Sequence, residues 1–204
     1  MNEVKTPEAL RPYVFHGVDL VWYENEDNAI ATCPFCGREE KCYIKKDNGQ
    51  YQCFVCSAVG NVYSFLKWLW NESDRSTSDY SVLMEDRQLL FVETLMSWGI
   101  CQSVLTNGWI VPAYNENGKL TQLYRYVKTS KGMRLLATPT LSHQLFGGNL
   151  FDKSKPEVYV CEGPWDAMSL WELMAHGKLD RENDRIKPTS NMDSSLLSAA
   201  NVIG

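Results

Sequence analysis

Cys33-Pro34-Phe35-Cys36 and Cys53-Phe54-Val55-Cys56 decide how this chain is read. Sixteen residues separate the two pairs, giving the pattern C-x2-C-x16-C-x2-C. Each C-x2-C turn aims two thiolates at one point, and a hairpin of that length carries the second pair opposite the first. The result is the tetrahedral sulfur cage that Zn²⁺ prefers, with Cys33, Cys36, Cys53 and Cys56 as ligands. Four ligands close the coordination sphere, so the metal is expected to be structural. Three cysteines are left over, Cys42, Cys101 and Cys161, an odd and irregular remainder that argues against a disulfide framework. Cys42 lies inside the ribbon but has no partner at knuckle spacing, and it reads as a half-buried strand residue.

Around the cage, residues 28–56 read as short strands broken by turns. Asp47-Asn48-Gly49 makes the turn between Tyr43-Ile44-Lys45-Lys46 and Tyr51-Gln52-Cys53. Gly60-Asn61 then opens a helix whose apolar residues recur at 62, 65/66 and 69, so one face packs on the ribbon. A ribbon alone buries little apolar surface, and bound metal is expected to hold the unit folded.

The 204 residues carry a net charge of −5, which excludes a surface uniformly coated in positive charge. Locally the balance differs. Residues 119–134 hold five basic side chains and no acid, and residues 38–67 hold five basic against three acidic. Either stretch suits phosphate contact or a solvated face. No apolar run reaches the roughly 18–20 residues of a membrane span, and the N-terminus has no apolar signal core. The expected location is the cytoplasm, where thiols stay reduced.

Residues 71–80 are polar, serine-rich and aperiodic, and read as a linker. Val82–Trp98 is amphipathic at helical spacing. An antiparallel hairpin follows, residues 108–114 and 119–127 about a turn at Asn115–Gly118. Alternation puts Gln122, Tyr124 and Tyr126 on one face and Leu123, Arg125 and Val127 on the other. Arg125 is then either a functional base among apolar neighbours or a snorkelling side chain at a sheet edge. Glu157–Cys161 has high strand propensity, and Pro164 suits the first position of a helix with Gly177 just past its end. Glu162 therefore sits at the carboxyl end of a strand, where open α/β sheets place ligands, and Asp166 falls in the first helical turn. The two carboxylates either converge on one Mg²⁺ or are a strand-end glutamate and an aspartate favoured by the helix dipole.

Taken together, the two halves of the chain resemble one family. Cys33–Cys36 with Tyr51-Gln-Cys53-Phe-Val-Cys56-Ser-Ala-Val-Gly60-Asn61 and on to Phe65-Leu66 resembles the zinc-binding domain of bacterial and bacteriophage DNA primases. Cys36 stands where many bacterial members have histidine, as in four-cysteine phage relatives. Residues 119–134, Pro139-Thr140 and Leu145-Phe146-Gly147 are similar to the primase polymerase domain before its catalytic core. Val158–Met168, with Glu162-Gly163-Pro-Trp-Asp166, resembles the opening motif of the Toprim domain. The implied fold class is α+β: a zinc-binding β ribbon at residues 1–70, a polar linker at 71–81, the N-terminal subdomain of the RNA-polymerase core at 82–153, and the N-terminal part of an α/β Toprim domain at 154–204.

The resemblance implies synthesis of short RNA primers on single-stranded DNA from ribonucleoside triphosphates, beside a fused or separate replicative helicase in a bacterial or phage-infected cell. Glu162 and Asp166 match the family's catalytic carboxylates and would hold Mg²⁺. Arg125, Lys128 and Arg134 match basic residues near nucleotide or template. On the ribbon, Lys45 and Lys46 would neutralise template phosphates, while Tyr43 and Tyr51 either stack on bases or pack the strands. A Toprim domain also needs a later Asp-x-Asp pair. Asp180, Glu182, Asp184 and Asp193 lack that spacing, and Asn201–Gly204 reads as the start of the next strand. Residues 1–204 are thus expected to be the front of a longer polypeptide, inactive in priming alone. The alternative is a non-catalytic zinc-ribbon module that binds nucleic acid.

Overall fold

The structure, a computed structural model, describes residues 5–75, 78–86, 91–176 and 200–204. After a 3₁₀ turn at Glu8–Leu10 come α1 (Arg11–Phe15), β1 (Leu20–Val21), β2 (Asn28–Ala31), β3 (Cys42–Lys45), β4 (Tyr51–Cys53), β5 (Val59–Gly60) and α2 (Val62–Arg75). Then follow α3 (Ser81–Asp86), α4 (Val92–Ser97), β6 (Cys101–Gln102), β7 (Trp109–Tyr114), β8 (Leu120–Thr129), β9 (Gly132–Ala137), β10 (Glu157–Val160), α5 (Pro164–His176) and β11 (Ala200–Ile203). They form two compact units, one of residues 1–76, 102–110 and 121–143, the other of residues 77–101, 111–120 and 144–204.

In the first unit β1 to β5 pair in chain order as an antiparallel sheet. Its period-two alternation separates two faces. Ala29, Ile44 and Tyr51 stand in register on the buried face, as do Ala31, Cys42 and Cys53. Ile30, Tyr43, Gln52 and Val59 share the opposite face. The β3–β4 turn closes as expected: Gln50 N–H donates to Asn48 Oδ1 at 2.9 Å, and Gly49 takes φ +69°. A Cβ at Gly49 would stand 3.0 Å from the Ala9 carbonyl oxygen, so the turn and the N-terminal segment fit only around glycine. Asn61 caps α2 by accepting from the N–H groups of Tyr63 (3.0 Å) and Ser64 (3.3 Å), while Ser64 Oγ accepts from Asn61 N–H (2.8 Å).

The ribbon is less bare than its sequence implies. Phe65, Leu66 and Leu69 of α2 are fully buried, each contributing roughly 1.5–3 kcal/mol by leaving water. Tyr13 of α1 sets its ring 4.8 Å from that of Phe65 and 6.4 Å from that of Tyr51 and donates to the Gly49 carbonyl at 2.5 Å. The expected linker also begins later than its composition implies, because α2 continues through Arg75. Ser73 is buried there and its Oγ accepts from Val104 N–H at 3.1 Å, a tertiary contact that holds polar residues helical. Within the same unit β8 and β9 pair antiparallel, Arg125 opposite Leu136 and Val127 opposite Arg134.

In the second unit the expected single helix over 82–98 is interrupted. Phe91 is extended (φ −83°, ψ 153°), and α4 starts anew after it. The buried carboxylate of Glu172 on α5 accepts from Phe91 N–H and from Thr94 Oγ1 (2.7 Å), which caps α4 from a distance in sequence. Residues 87–90 lie outside the described ones. The expected turn closes with Asn115 N–H to Lys119 O and with Asn115 Oδ1 accepting from Asn117 and Lys119. β10, α5 and β11 form a strand–helix–strand unit with the strands parallel, Glu157 beside Ala200 through Val160 beside Ile203. Gly177, the expected residue past α5, and Asp180, Glu182, Asp184 and Asp193 lie outside the described residues. Among the described residues no helix is long and apolar enough to cross a membrane.

Candidate metal centre and nucleic-acid interface

The four knuckle cysteines converge, their sulfurs all within 4.8 Å of one another. Cys33 Sγ lies 3.8 Å from Cys56 Sγ, and Cys36 Sγ lies 3.9 Å from Cys53 Sγ. Tetrahedral zinc with Zn–S bonds of about 2.3 Å has sulfur–sulfur edges of about 3.8 Å, so the set fits Zn²⁺. Among the described residues it is the single group of three or more His, Cys, Asp or Glu side chains close enough to share a metal. Backbone bonds fix both knuckles: Gly37 N–H to Cys33 O at 2.8 Å in the first, Cys53 N–H to Ala58 O at 2.8 Å in the second.

The thiols are not equivalent. Burial pushes Cys33 up, reinforced by its hydrogen bond with Cys53. Burial also opposes ionisation of Cys53, but the N–H groups of Cys56 and Val55 outweigh it and bring that thiol down to about 6. Cys42 is a fully buried strand residue, more enclosed than expected, and burial pushes it up to about 12.

The outward face of the ribbon forms a groove of about 530 Å³ lined by Asn28, Tyr43, Lys45, Gln52, Phe54 and Val59, among others. Tyr43 and Phe54 meet edge to face at 5.4 Å, and Phe54 is 67% exposed. The tyrosines anticipated on the ribbon thus part company. Both border the groove, but Tyr43 is half-buried on its outward face, whereas Tyr51 is buried on the opposite face, stacked on Phe35 and hydrogen-bonded to Ser64 Oγ at 3.1 Å. The lysines part too. Lys45 is exposed in the groove, but Lys46 Nζ donates to the carbonyls of Tyr23 (2.7 Å) and Glu24 (3.3 Å). Gln52, Phe54 and Val59 are groove residues that sequence reasoning missed. The alternation that singles out Tyr43 also points to Gln52.

On the β8–β9 hairpin, Arg125 and Arg134 fall on one face, diagonal across the pair, and Lys128 falls on the other. Arg134 and Lys128 are exposed. Arg125 is half-buried, donates through Nη1 to the Phe15 carbonyl at 2.5 Å, and lies over the Phe15 ring at 5.2 Å. In the other unit, Glu162 follows β10 and Asp166 lies in the first turn of α5, both exposed. Cys161 N–H donates to Ile203 O at 2.9 Å, which fixes the end of the strand beside β11. Burial raises the Cys161 thiol, and the Asp166 carboxylate adds to the effect. Among the described residues no third His, Cys, Asp or Glu joins Glu162 and Asp166 as a metal-ligating group.

No protein-family model matches this sequence, and no curated protein matches it. Solved structures similar to it include the following three. One is the primase fragment of the bacteriophage T7 primase-helicase protein, with 18% identity, TM-score 0.36, 76% of this chain and 64% of that chain covered. Another is a chain in the structure of bacteriophage T7 lagging-strand DNA polymerase interacting with primase domains of two gp4 subunits bound to an RNA/DNA hybrid and dTTP (21% identity, TM-score 0.37, coverage 76% and 63%). The third is the Aquifex aeolicus primase, zinc-binding and RNA polymerase domains, at 11% identity, TM-score 0.39 and coverage 80% and 61%. The chain thus spans 61% to 64% of the length of these three chains.

Proposed function

We propose that this chain belongs to a DNA primase of the bacterial and phage kind, with a zinc ribbon that reads single-stranded template. The observation that carries this reading is the outward ribbon face, where Tyr43, Phe54, Gln52 and Lys45 surround one groove beside the four-sulfur cage. An aromatic pair offers bases a stacking surface worth about 1–3 kcal/mol per base, amides read base edges, and a lysine neutralises a phosphate. Cys33, Cys36, Cys53 and Cys56 hold structural zinc, which fixes the knuckle carrying Phe54.

In the same proposal the ribbon domain, whose helix α2 runs on through Arg75, is followed by residues of a polymerase subdomain within 82–153 and by a partial Toprim domain at 154–204. Glu162 and Asp166 hold Mg²⁺, which neutralises charge as a nucleotide is transferred from a ribonucleoside triphosphate. The exposed Lys128 and Arg134 attract nucleotide or template, and Arg125 shares a face with Arg134. A replicative helicase, fused or separate, is the partner. The rival reading is a non-catalytic zinc-ribbon module, favoured by the absence of a third metal-ligating side chain near Glu162 and Asp166 among the described residues.

Primer synthesis by the full-length protein, assayed with template, Mg²⁺ and ribonucleotides, separates the two. Glu162→Gln and Asp166→Asn are each expected to abolish product while zinc content and template affinity stay at parental values. Undiminished synthesis by both variants would sink the catalytic assignment. Template binding without any synthesis by the parent would leave the rival.

A further inference from the structure

The outward face of the ribbon carries its polar and aromatic groups in two facing rows. On β3 and the residue before it, Lys41, Tyr43 and Lys45 alternate with the buried Cys42 and Ile44. On β4 and its flanks, Gln50, Gln52 and Phe54 alternate with the buried Tyr51 and Cys53. Strand pairing sets the rows in register. Tyr43 stands opposite Gln52, Lys45 N–H donates to Gln50 O at 2.8 Å, and Phe54 N–H donates to Lys41 O at 3.1 Å. Residues directly opposite in an antiparallel pair are close enough for their side chains to act together. The face thus reads lysine with glutamine, tyrosine with glutamine, then lysine with phenylalanine.

Along β3 the two lysines are four residues apart, roughly 13 Å at the rise of a strand. Both are exposed, and among the described residues no hydrogen bond or ion pair holds either amine or the Gln52 amide. Lys46, next in the chain, is outside the row, with its amine on the carbonyls of Tyr23 and Glu24. Acids close the row at both ends. Glu39 and Glu40 precede Lys41, and beyond Lys45 a polar hollow holds Glu24, Glu26, Asp27 and Asp47. Phosphates are attracted to the interval between the lysines and repelled past either end. Gln52 falls within that interval, opposite Tyr43 and two residues from the exposed Phe54 ring.

We propose that Lys41 and Lys45 hold two different phosphates of one short single strand of DNA, and that Gln52 reads a base between them. Phe54 and Tyr43 offer that base an aromatic surface, and the glutamine amide, with donor and acceptor side by side, grips a base edge. Lys41 adds a second anchor at the knuckle end, so the strand runs along β3 instead of across the sheet. The site rests on the single-strand reading of this face and is independent of primer synthesis.

Fluorescence anisotropy of the zinc-loaded 204-residue chain with short single-stranded DNA oligomers, repeated over a salt series, gives the test. Lys41→Ala is expected to lower the log–log salt slope by roughly one unit, and Lys41→Ala with Lys45→Ala by roughly two. Lys41→Arg should keep the slope, as should Lys46→Ala, which removes the same charge outside the row. Among oligomers differing at one base, Gln52→Ala is expected to lose about tenfold of the parental discrimination with the slope unchanged. An unchanged slope in Lys41→Ala, or equal losses from Lys41→Ala and Lys46→Ala, would overturn the two-phosphate assignment. A parent without base preference, or a Gln52→Ala variant that keeps it, would overturn the base-reading role. In either case weaker binding by Phe54→Ala would still leave the ribbon as the template site. Parental binding by both Phe54→Ala and Tyr43→Ala would place the strand elsewhere and remove that reading together with this one.

Discussion

The ring of Phe35, inside the first knuckle, stacks on that of Tyr51 in β4 with centroids 4.9 Å apart and planes 25° from parallel. Trp68 of α2 closes on the same Phe35 ring at 4.7 Å, edge to face. Through this one side chain the metal cage is mechanically tied to the ribbon sheet and to α2. Phe35→Ala is therefore expected to cost about 2–3 kcal/mol of unfolding free energy, less than a fully buried phenylalanine because the ring is half-exposed. Chelators should also strip zinc from the variant faster than from the parent. Urea unfolding and a colorimetric zinc-release assay give both quantities, and parental values in both would separate the cage from the core.

Metal removal should weaken the first unit without erasing α2. Phe65, Leu66, Leu69 and Tyr13 are buried side chains that need no metal to pack, and that core is expected to persist when the knuckles loosen. Cys36→Ser is expected to lose stoichiometric zinc and lower the unfolding midpoint while most of the helical far-ultraviolet signal remains. Complete loss of that signal on chelation would mean that metal alone holds the unit together.

Lys45 and Lys46 are adjacent in sequence but should behave differently toward single-stranded DNA. Lys45→Ala is expected to reduce the log–log salt slope of binding by about one unit, the release of about one counterion. Lys46→Ala should leave the slope alone and lower stability, because its amine holds the carbonyls of Tyr23 and Glu24. Phe54→Ala and Tyr43→Ala should each weaken binding by about 1–3 kcal/mol, whereas Tyr51→Phe should not. Equal salt slopes for the two lysine variants would move the template off this face.

Acid should destabilise the protein through His16. Its folded value of about 3 lies below the ordinary 6.5, so between those pH values the unfolded chain binds a proton that the folded one does not. This contribution is fully present above pH 6.5 and is lost as pH falls toward 3, at up to about 1.4 kcal/mol per pH unit. His16→Gln keeps a donor for Thr138 and cannot titrate. The difference in unfolding free energy between variant and parent should narrow by that slope on acidification, and a pH-independent difference would contradict the assignment.

Some of this was legible in the residues alone. The knuckle spacing located the cage, Asp47-Asn48-Gly49 and Asn61 marked a turn and a helix start, and Pro164 marked the opening of α5. Each of these signals is local, carried by residues a few positions apart whose backbone chemistry allows few conformations. The extended Phe91 was not legible, because the carboxylate that caps α4 arrives from Glu172, 81 positions away. Nor was the helical state of residues 71–75, held by Ser73 and the Val104 amide.

By itself the sequence determined which sulfurs can share a metal, where the ribbon turns, and that Glu162 follows a strand and Asp166 opens a helix. Tertiary structure alone decided which of two neighbouring lysines is free, which of two ribbon tyrosines faces outward, and that Arg125 is committed to Phe15. The reason is physical. Ligand spacing and turn chemistry are fixed by short stretches of covalent chain, whereas the exposure and hydrogen-bond partner of a side chain depend on what distant segments bring against it.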